Sequence, residues 1–375
     1  MGKRALFVYT HLSTFVKGDL EILSRHCIVD QYRVENTPKM KLPLSLIKLF
    51  FYLLLNIRKF DVIYIWFADY HSFLPVLFSR ITGKRSMIVI GGYDICRERE
   101  YRYGSLSSPL RSFMALTSIK LASLNLCVSN NIRRVVKSIA PKSNSTLLYN
   151  GVNISTTFFK ERESTIENDS FSKDQESILA QDRIDFLCVA LTNSIQAFYI
   201  KGIDRYIRIA SSMEDKSFVL IGCNPDVLKA SGFTIPSNLT VIPAIEHSML
   251  KNYYKRTRVY CQFSRRESFS LSLAEAMLFN CVPVVTNVGG MPEVTGGVGL
   301  IKEGDNIDEL RCSLLSALKE ASEPFKDYSK AVLDNISPKF ENSTGDNFET
   351  VYRRRVLEHF TIEKRERELI KILFG

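Results

Sequence analysis

Residues 264–293 read SRRESFSLSLAEAMLFNCVPVVTNVGGMPE, and this stretch decides the fold. The run from Leu271 to Phe279 is rich in helix-forming residues. Asn280 can adopt the left-handed conformation that often ends a helix. Three side chains near the start of the run can cap it, namely Ser268, Ser270 and Ser272. The pattern therefore predicts a short helix with its own start and stop signals.

A buried strand and a glycine turn follow this predicted helix. The strand is Val282–Val285, and Gly289-Gly290 permits close approach of the backbone. Bare amides at a helix start bind phosphate oxygens. A carboxylate one turn into the helix, here Glu275, can accept hydrogen bonds from the hydroxyls of a sugar or a ribose. These are the parts needed to hold a nucleotide diphosphate linked to a sugar.

The stretch resembles the signature of the retaining, family 4 glycosyltransferases, which have the GT-B fold. Order and spacing match at Glu267, at Glu275 with the following Ala-Met, at the Pro-Val-Val strand, and at Gly-Gly-Met-Pro with Glu293. Ser270 and Asn280 stand where the family usually has glycine. The resemblance implies an α/β protein with two Rossmann-like doubly wound domains facing a cleft and a C-terminal helix that crosses back to the first domain.

Three further segments are similar to the same family, so that the resemblance covers roughly residues 124–300. They are Val128–Val136, Tyr149–Asn153 with Phe158 and Phe159 after it, and Lys201-Gly202-Ile203-Asp204. The first 120 residues match only in layout.

Strand and helix patterns alternate along the whole chain, which predicts two parallel sheets. We expect an acceptor-binding domain over 1–160 with the C-terminal helix 350–375, and a donor-binding domain over 183–349. Residues 161–182 are rich in Glu, Ser, Asp and Lys and predict a surface linker. The predicted strands begin at or near residues 5, 28, 62, 86, 124 and 142 in the first half, and 185, 217, 239, 259 and 282 in the second.

Positive charge is concentrated in the first half of the chain. Residues 1–160 hold 23 Lys and Arg against 9 Asp and Glu, a net +14, and the remaining residues carry −4 of the total of +10. Such a surface suits an anionic membrane or a phosphorylated acceptor. Nucleic acid is the competing partner class, but the chain has no helix-turn-helix, zinc or RNA-binding signature.

The most apolar stretch is Leu42–Ile57, which is about 16 residues long and falls short of a membrane span. Basic residues flank it, namely Lys39, Lys41, Arg58 and Lys59. It fits either a core helix of the first domain or a helix that also dips into the membrane interface. With eight cysteines and no Cys-x-x-Cys, we expect a cytoplasmic protein that can be peripheral on the inner face of the cell membrane.

The resemblance implies roles for residues of the donor domain. Glu275 would bind the ribose hydroxyls, and Glu267 would hold the sugar. Lys201, beside Gly202, would stabilise the leaving diphosphate. The amides of Phe269, Ser270 and Leu271 would bind the phosphates, with Arg266 and Ser268 beside them. The family usually adds an arginine after the preceding strand. That arginine is missing here, and Arg205 or Arg266 are the candidates to replace it.

Polar residues also follow strands of the first half, where α/β folds place ligands. Asp94 matches the family's His-Gly-x-Asp, whose histidine is replaced by Gly91. His71 or Asp69 could supply the missing polar group, and His11 follows the first strand. We therefore expect Asp94 and His71 among the catalytic residues.

No Asp-x-Asp occurs in the chain, so we expect neither a metal site nor another cofactor, and the nucleotide sugar is a substrate. The expected function is retaining transfer of a sugar from a nucleotide-diphospho-sugar to a glycan or lipid-linked hydroxyl in cell-surface polysaccharide synthesis. The alternatives are a sugar-nucleotide epimerase or phosphorylase on the same architecture, or a non-catalytic protein that binds nucleotide sugars.

Overall fold

The computed structural model describes residues 2–35, 41–153, 183–302, 306–322 and 350–375. The predicted linker 161–182, Phe158, Phe159 and Lys39 lie outside these residues. The described chain falls into two compact units. The first takes in the chain up to Asn153 together with Glu267–Phe269 and Phe360–Gly375, and the second takes in the chain from 183 to Arg266 and Ser270–His359.

In its described residues, the first unit has a parallel sheet with the strand order β2-β1-β3-β4-β5-β6. The strands are β1 Arg4–Tyr9, β2 Ile28–Arg33, β3 Val62–Trp66, β4 Arg85–Ile90, β5 Leu124–Cys127 and β6 Ser145–Leu147. The helices are Thr14–His26, Lys41–Asn56, Tyr70–Ile81, Pro109–Leu121, Asn130–Ile139 and Ile362–Phe374. Parallel neighbours require crossover connections, which these helices supply. The chain reverses its direction across the sheet between β1 and β3.

The second unit, where it is described, has a parallel sheet with the order β12-β11-β10-β7-β8-β9. Its strands are β7 Ile184–Thr192, β8 Phe218–Cys223, β9 Leu239–Ile242, β10 Thr257–Gln262, β11 Val282–Thr286 and β12 Leu300–Lys302. Its helices are Ile195–Ile200, Ile203–Ser211, Pro225–Ser231, His247–Arg256, Leu271–Leu278, Met291–Thr295, Ile307–Glu320 and Val351–His359. The reversal in this sheet lies between β7 and β10.

The prediction of two doubly wound α/β domains is confirmed. Strand β12 and the helix Ile195–Ile200 are additions that the sequence pattern did not predict. The C-terminal segment also differs from the single expected helix, because it forms two helices. Val351–His359 belongs to the second unit, and Ile362–Phe374 is the helix that returns to the first. Among the described residues, no helix has the length and apolarity needed to cross a membrane.

A buried ion pair fixes the returning helix within the first unit. Asp19 and Arg365 are 0% and 3% exposed, and two guanidinium nitrogens lie 2.6 and 2.7 Å from the two carboxylate oxygens. Tyr64 donates a further hydrogen bond of 2.7 Å to Asp19. Arg365 also donates to the carbonyls of Leu148 and Tyr149. Burial would lower the pKa of Arg365, but the charge of Asp19 more than offsets this, and the pKa is raised.

We expect Asp19→Asn to lower the free energy of unfolding of the first unit by roughly 3–5 kcal/mol, because it leaves a buried guanidinium without its counter-charge. The single tryptophan, Trp66, is buried in this unit, and its ring centroid is 5.7 Å from the Arg365 guanidinium carbon. Urea unfolding followed by Trp66 fluorescence therefore reports on this unit.

The matched control is the exposed pair of Arg25, on the helix Thr14–His26, and Glu366, on the returning helix, whose charged atoms lie 2.6 Å apart. Because this pair is solvated, Glu366→Gln should cost about 1 kcal/mol or less. Equal effects of the two variants would contradict the role given to Asp19.

Candidate functional site

The loop after β10 and the helix Leu271–Leu278 form the centre of the site in the second unit. Ser270 is the residue before the helix and has φ 76°, a left-handed conformation. Its hydroxyl accepts the Leu273 amide at 3.3 Å and donates to Gln262 Oε1 at 2.5 Å. These two bonds hold a non-glycine residue in a conformation that usually requires glycine. Asn280 likewise has φ 64°, as its helix-ending role predicted.

Glu275 lies inside this helix and is 9% exposed. His247 Nε2 lies 2.6 Å from its Oε1, and the Tyr254 hydroxyl donates to its Oε2 at 3.2 Å. A carboxylate offers about four acceptor positions. Two protein donors therefore fix its orientation and leave acceptor capacity for the hydroxyls of a ligand.

Neither partner of Glu275 was found from the sequence. His247 begins the helix His247–Arg256, and Tyr254 is buried two turns further along the same helix. The hydrogen bond to Glu275 raises the pKa of His247 above its ordinary value, against an opposing effect of burial. Burial, followed by the negative charge of Glu275, raises the pKa of Tyr254. Tyr254 therefore stays a donor to the carboxylate at neutral pH, and the protonated form of His247 is favoured by the same carboxylate.

The loop after β7 meets the loop after β10 at Gly202. This glycine has φ 70°, and a Cβ atom on it would lie 1.9 Å from the Phe263 carbonyl oxygen. The Arg265 amide also donates to the Ile200 carbonyl at 2.7 Å. Only glycine allows this approach, which places the half-buried Lys201 at the carboxyl end of the sheet, beside the β7–β10 reversal.

The spacing of the Lys201-Gly202-Ile203-Asp204 segment has a second consequence, which involves Asp204. This carboxylate is 3% exposed and binds Arg265 through both oxygens, at 2.7 and 2.8 Å. Arg265 also donates to the Tyr199 carbonyl. The motif therefore positions an arginine of the loop after β10, which the sequence pattern alone did not indicate.

The two arginines proposed to replace the missing phosphate-binding residue lie in different environments. Arg205 is buried and donates to the Phe263 carbonyl at 2.8 Å, so it braces the loop from within. Arg266 is exposed. Of the two, only Arg266 presents its side chain to solvent.

Glu267, Ser268 and Phe269 group with the first unit instead of the second. Phe269 is buried, and its ring centroid lies 5.9 Å from that of Tyr149 and 5.3 Å from that of Phe360. Ser268 packs so closely on Gly92 that a Cβ there would lie 1.8 Å from the serine oxygen. These contacts fix the backbone of the segment that the sequence assigned to sugar and phosphate binding.

Asp94 joins two loops of the first unit from a fully buried position. Its carboxylate accepts the amides of Ala68, Gly91 and Gly92, at 3.1, 3.3 and 2.7 Å. Burial raises the pKa of Asp94 to about 6, and the amide hydrogen bonds oppose that rise. The carboxylate is thus bound to backbone groups after β3 and β4, and the catalytic role expected for Asp94 stays a prediction.

His71 is also buried, at 3% exposure, in the first turn of the helix Tyr70–Ile81. Its Nε2 lies 2.7 Å from the Trp66 carbonyl oxygen, which can only accept, so this nitrogen carries the proton. Burial lowers the pKa of His71, which favours the neutral ring. This contact holds the end of β3, and the catalytic role expected for His71 stays a prediction.

The other two polar candidates of this unit differ in exposure. Asp69 caps the helix Tyr70–Ile81 and forms an ion pair with Arg111, whose Nε donates at 3.0 Å. Arg111 also lies 5.3 Å from the ring centroids of both Tyr70 and Tyr93. His11 is exposed after β1.

The structure has no room for a side chain at Gly91. A Cβ atom on Gly91 would lie 2.1 Å from the Phe67 ring. Phe67 itself has φ 69°, which a bulky residue seldom adopts. The aromatic ring of Phe67 therefore takes the space that a side chain at position 91 would need.

Within the described residues, no group of three or more His, Cys, Asp or Glu side chains is arranged to hold a metal ion. Among the described residues of the loops after β7 and β10, Lys201 and Arg265 are half-buried and Arg266 is exposed.

We expect the His247–Glu275 pair to stabilise the fold in a pH-dependent way. The folded state favours protonated His247, so the contribution is fully present below the ordinary histidine pKa of about 6.5 and is lost as pH rises through the raised value. An NMR titration of the His247 ring should give a pKa above about 6.5, which falls toward that value in Glu275→Gln.

The control for this titration is Glu246→Gln, which removes an exposed carboxylate next to His247. It should leave the His247 midpoint nearly unchanged. A midpoint that moves equally in both variants would show that the Glu275 contact does not set it.

Comparison with known proteins agrees with this architecture. Residues 191–332 match the family model of glycosyl transferases group 1. A sequence search of curated proteins gave no match.

Solved structures match over the whole chain at low identity. Sucrose-phosphate synthase from Thermosynechococcus elongatus has a TM-score of 0.70 at 12% identity, covering 99% of this chain and 98% of that one. HepE from Anabaena in complex with UDP-glucose has a TM-score of 0.65 at 11% identity, covering 99% of each chain. The UDP-forming α,α-trehalose-phosphate synthase from Burkholderia xenovorans, in complex with glucose-6-phosphate, has a TM-score of 0.65 at 11% identity, covering all of both chains. The chain therefore has the GT-B fold, and its second unit carries the part that matches the group 1 glycosyltransferases.

Proposed function

We propose that the protein is a retaining glycosyltransferase of family 4. It moves a sugar from a nucleotide-diphospho-sugar to a hydroxyl of a glycan or lipid-linked acceptor, in the synthesis of a cell-surface polysaccharide. The observation that carries the proposal is the buried Glu275 carboxylate, which two donors orient at a helix start beside the β7–β10 reversal. Ligands of doubly wound sheets bind at such reversals.

The donor nucleotide is assigned to the second unit. Glu275 binds the two ribose hydroxyls through the acceptor positions that His247 and Tyr254 leave available. UDP is the first nucleotide to test, because HepE was solved with UDP-glucose and the trehalose-phosphate synthase is UDP-forming.

The diphosphate is assigned to positive charge and helix amides, without a metal ion. Negative charge grows on the leaving diphosphate as the bond to the sugar breaks, and fixed donors aimed at that charge lower the barrier. Lys201 supplies a cation there, and the amides of Ser270 and Leu271 supply donors and the positive end of a helix dipole. Arg265, in the loop after β10, is held and neutralised by Asp204, so Lys201 is the cation that we assign to the diphosphate.

The acceptor is assigned to the first unit. Asp94 and His71 act there as positioning residues, since each is buried and bound to backbone groups. They shape the loops after β3 and β4, which also carry Asp69 and its ion-pair partner Arg111. Glu267 contributes to binding the sugar of the donor.

A non-catalytic protein that binds nucleotide sugars is the second candidate. It is favoured by the commitment of both expected catalytic groups of the first unit, Asp94 and His71, to structural hydrogen bonds. An assay that follows the radiolabelled sugar of the donor, with and without an acceptor, distinguishes these functions. Turnover with an acceptor supports the transferase, turnover without one supports an epimerase or phosphorylase, and binding alone supports the second candidate.

We expect Glu275→Gln to weaken binding of the preferred nucleotide by about 10- to 150-fold, the value of a charge-assisted hydrogen bond of roughly 1.5–3 kcal/mol. Isothermal titration calorimetry with UDP, GDP and ADP measures this loss and identifies the nucleotide. Glu309→Gln, at an exposed site on the helix Ile307–Glu320, is the matched control and should bind as the wild type does. Unchanged affinity in Glu275→Gln would reject the ribose assignment.

We also expect Lys201→Ala to lower kcat by roughly 100- to 1,000-fold, because it removes a fixed charge from the leaving group. Steady-state kinetics with and without EDTA checks this, and the wild type should keep most of its turnover in EDTA. Lys229→Ala, an exposed lysine of the same unit, should have no effect. Complete loss of activity in EDTA that magnesium restores would show that a metal neutralises the diphosphate instead.

A further inference from the structure

The helix Lys41–Asn56 exposes large apolar side chains to solvent. Leu49 and Leu53 are fully buried in the first unit, which satisfies one side of the helix. The exposed apolar residues and their exposed fractions are Leu44 56%, Ile47 54%, Phe50 40%, Phe51 56%, Leu54 56% and Leu55 76%.

These six residues share one side of the helix. At 100° per residue they span an arc of about 140°, centred opposite Leu49 and Leu53. Lys48 is exposed at one edge of that arc. The solvent-facing side of a surface helix normally carries polar residues. Because this helix is apolar on both its buried and its exposed side, the exposed side needs an apolar partner of its own.

Two neighbouring helices extend the exposed surface. The ring of Phe50 packs on that of Phe78 in the helix Tyr70–Ile81, at 5.4 Å between centroids. Ile81, less than one turn further, is 73% exposed. We call the combined surface of these two helices and the next one the apolar face.

The third helix, Pro109–Leu121, continues the apolar face. Its Phe113 lies 6.2 Å from Phe73 between ring centroids and is 61% exposed, and Leu110 is 58% exposed. Isolated exposed apolar residues are ordinary, but a continuous group on three adjacent helices marks an interaction surface.

The charge around the apolar face has one sign. Residues 41–60, 70–85 and 109–121 hold nine Lys and Arg and no Asp or Glu. Lys48, Arg80 and Lys120 are exposed within the three helices themselves. Arg111, also among the nine, is held by Asp69 just outside these ranges. Lys41 lies 3.5 Å from Glu35, which is outside these ranges as well. The surface therefore combines exposed apolar groups with an excess of positive charge.

We propose that the apolar face docks on an anionic lipid bilayer, with the helix Lys41–Asn56 lying along the membrane interface. Its 16 residues give a length of about 24 Å, which lies flat in the headgroup region with the apolar arc toward the acyl chains. The basic groups at the edge meet lipid phosphates. A second copy of this face would bring like charges together, whereas an anionic bilayer meets both the apolar and the charged parts.

This docking goes beyond the proposed transfer reaction and does not depend on it. Docking holds the first unit at the surface where a lipid-linked acceptor resides. Vesicle binding and nucleotide binding are separate measurements on the same protein, so either can fail without the other.

The test is flotation of the full chain with vesicles of phosphatidylglycerol and phosphatidylcholine in equal parts. We expect capture at low salt, weaker capture at high salt because the charge term is screened, and little capture by phosphatidylcholine alone. The double variant Phe51→Ser/Leu55→Ser should lower the partition coefficient by about tenfold or more, since both side chains leave the acyl region. Its matched control, Met249→Ser/Leu315→Ser, changes residues of the second unit that are 50% and 43% exposed, and should float as the wild type does.

The charge is tested separately with Lys48→Gln/Arg80→Gln/Lys120→Gln, which should reduce capture at low salt by about fivefold for each charge removed. Lys229→Gln/Lys319→Gln, at exposed sites of the second unit, is the control and should not change capture. Trp66 fluorescence verifies that each first-unit variant is folded. The proposal is overturned if the wild type stays unbound with anionic vesicles at low salt. It is also overturned if the wild type self-associates without binding vesicles and Phe51→Ser/Leu55→Ser abolishes that self-association.

Discussion

Parallel strands all end at the same edge of their sheet, and this constraint places the residues that we assign to the site. In the second unit it brings the loops after β7 and β10 together, so that Gly202 can pack against the backbone of Phe263. In the first unit it brings the loops after β3 and β4 together, so that one carboxylate, Asp94, can bind amides of both. Residues that are distant in sequence can therefore meet at one site, provided that each of them lies just after the end of its strand. The GT-B architecture uses this arrangement twice in one chain.

Buried carboxylates serve three different purposes in this protein, and their partners decide which. The Arg365 guanidinium neutralises Asp19, and the ion pair holds the returning helix in the first unit. Asp94 is fully buried and has only amide donors, and its burial raises its pKa to about 6 although the amide hydrogen bonds oppose the rise. Glu275 has one donor on each oxygen and keeps capacity for further hydrogen bonds. The arrangement at Glu275 is the one suited to ligand binding, because its carboxylate is held in one orientation and still has acceptor positions for a ligand.

Much of the fold could be predicted from the sequence, because strand and helix periods are local properties. The helix Leu271–Leu278 was predicted from its helix-forming residues, from three serines that could cap it and from Asn280 at its end. Ser270, one of those serines, and Asn280 both have the left-handed conformation. The partners of the site residues could not be predicted in the same way. His247 is 28 residues from Glu275, and Arg265 is 61 from Asp204, so no local pattern joins them. Likewise, the burial of His71 and Asp94 depends on how neighbouring loops close over them. The space at Gly91 is filled by Phe67, whose ring direction follows from an unusual backbone angle that sequence rules do not anticipate.

The return of the C-terminal helix to the first unit sets an order of events during synthesis. Asp19 and Arg365 are separated by 346 residues, so at about 5–20 residues per second the carboxylate waits on the order of 20–70 seconds for its guanidinium. During that time Tyr64 can approach Asp19, but the core around them would have to bury an uncompensated charge. The nascent first unit is therefore expected to remain loosely packed on the ribosome while the second unit, whose residues between 183 and His359 emerge before the returning helix, completes its own sheet. The first unit is therefore the first to be synthesised and the last to complete its folding.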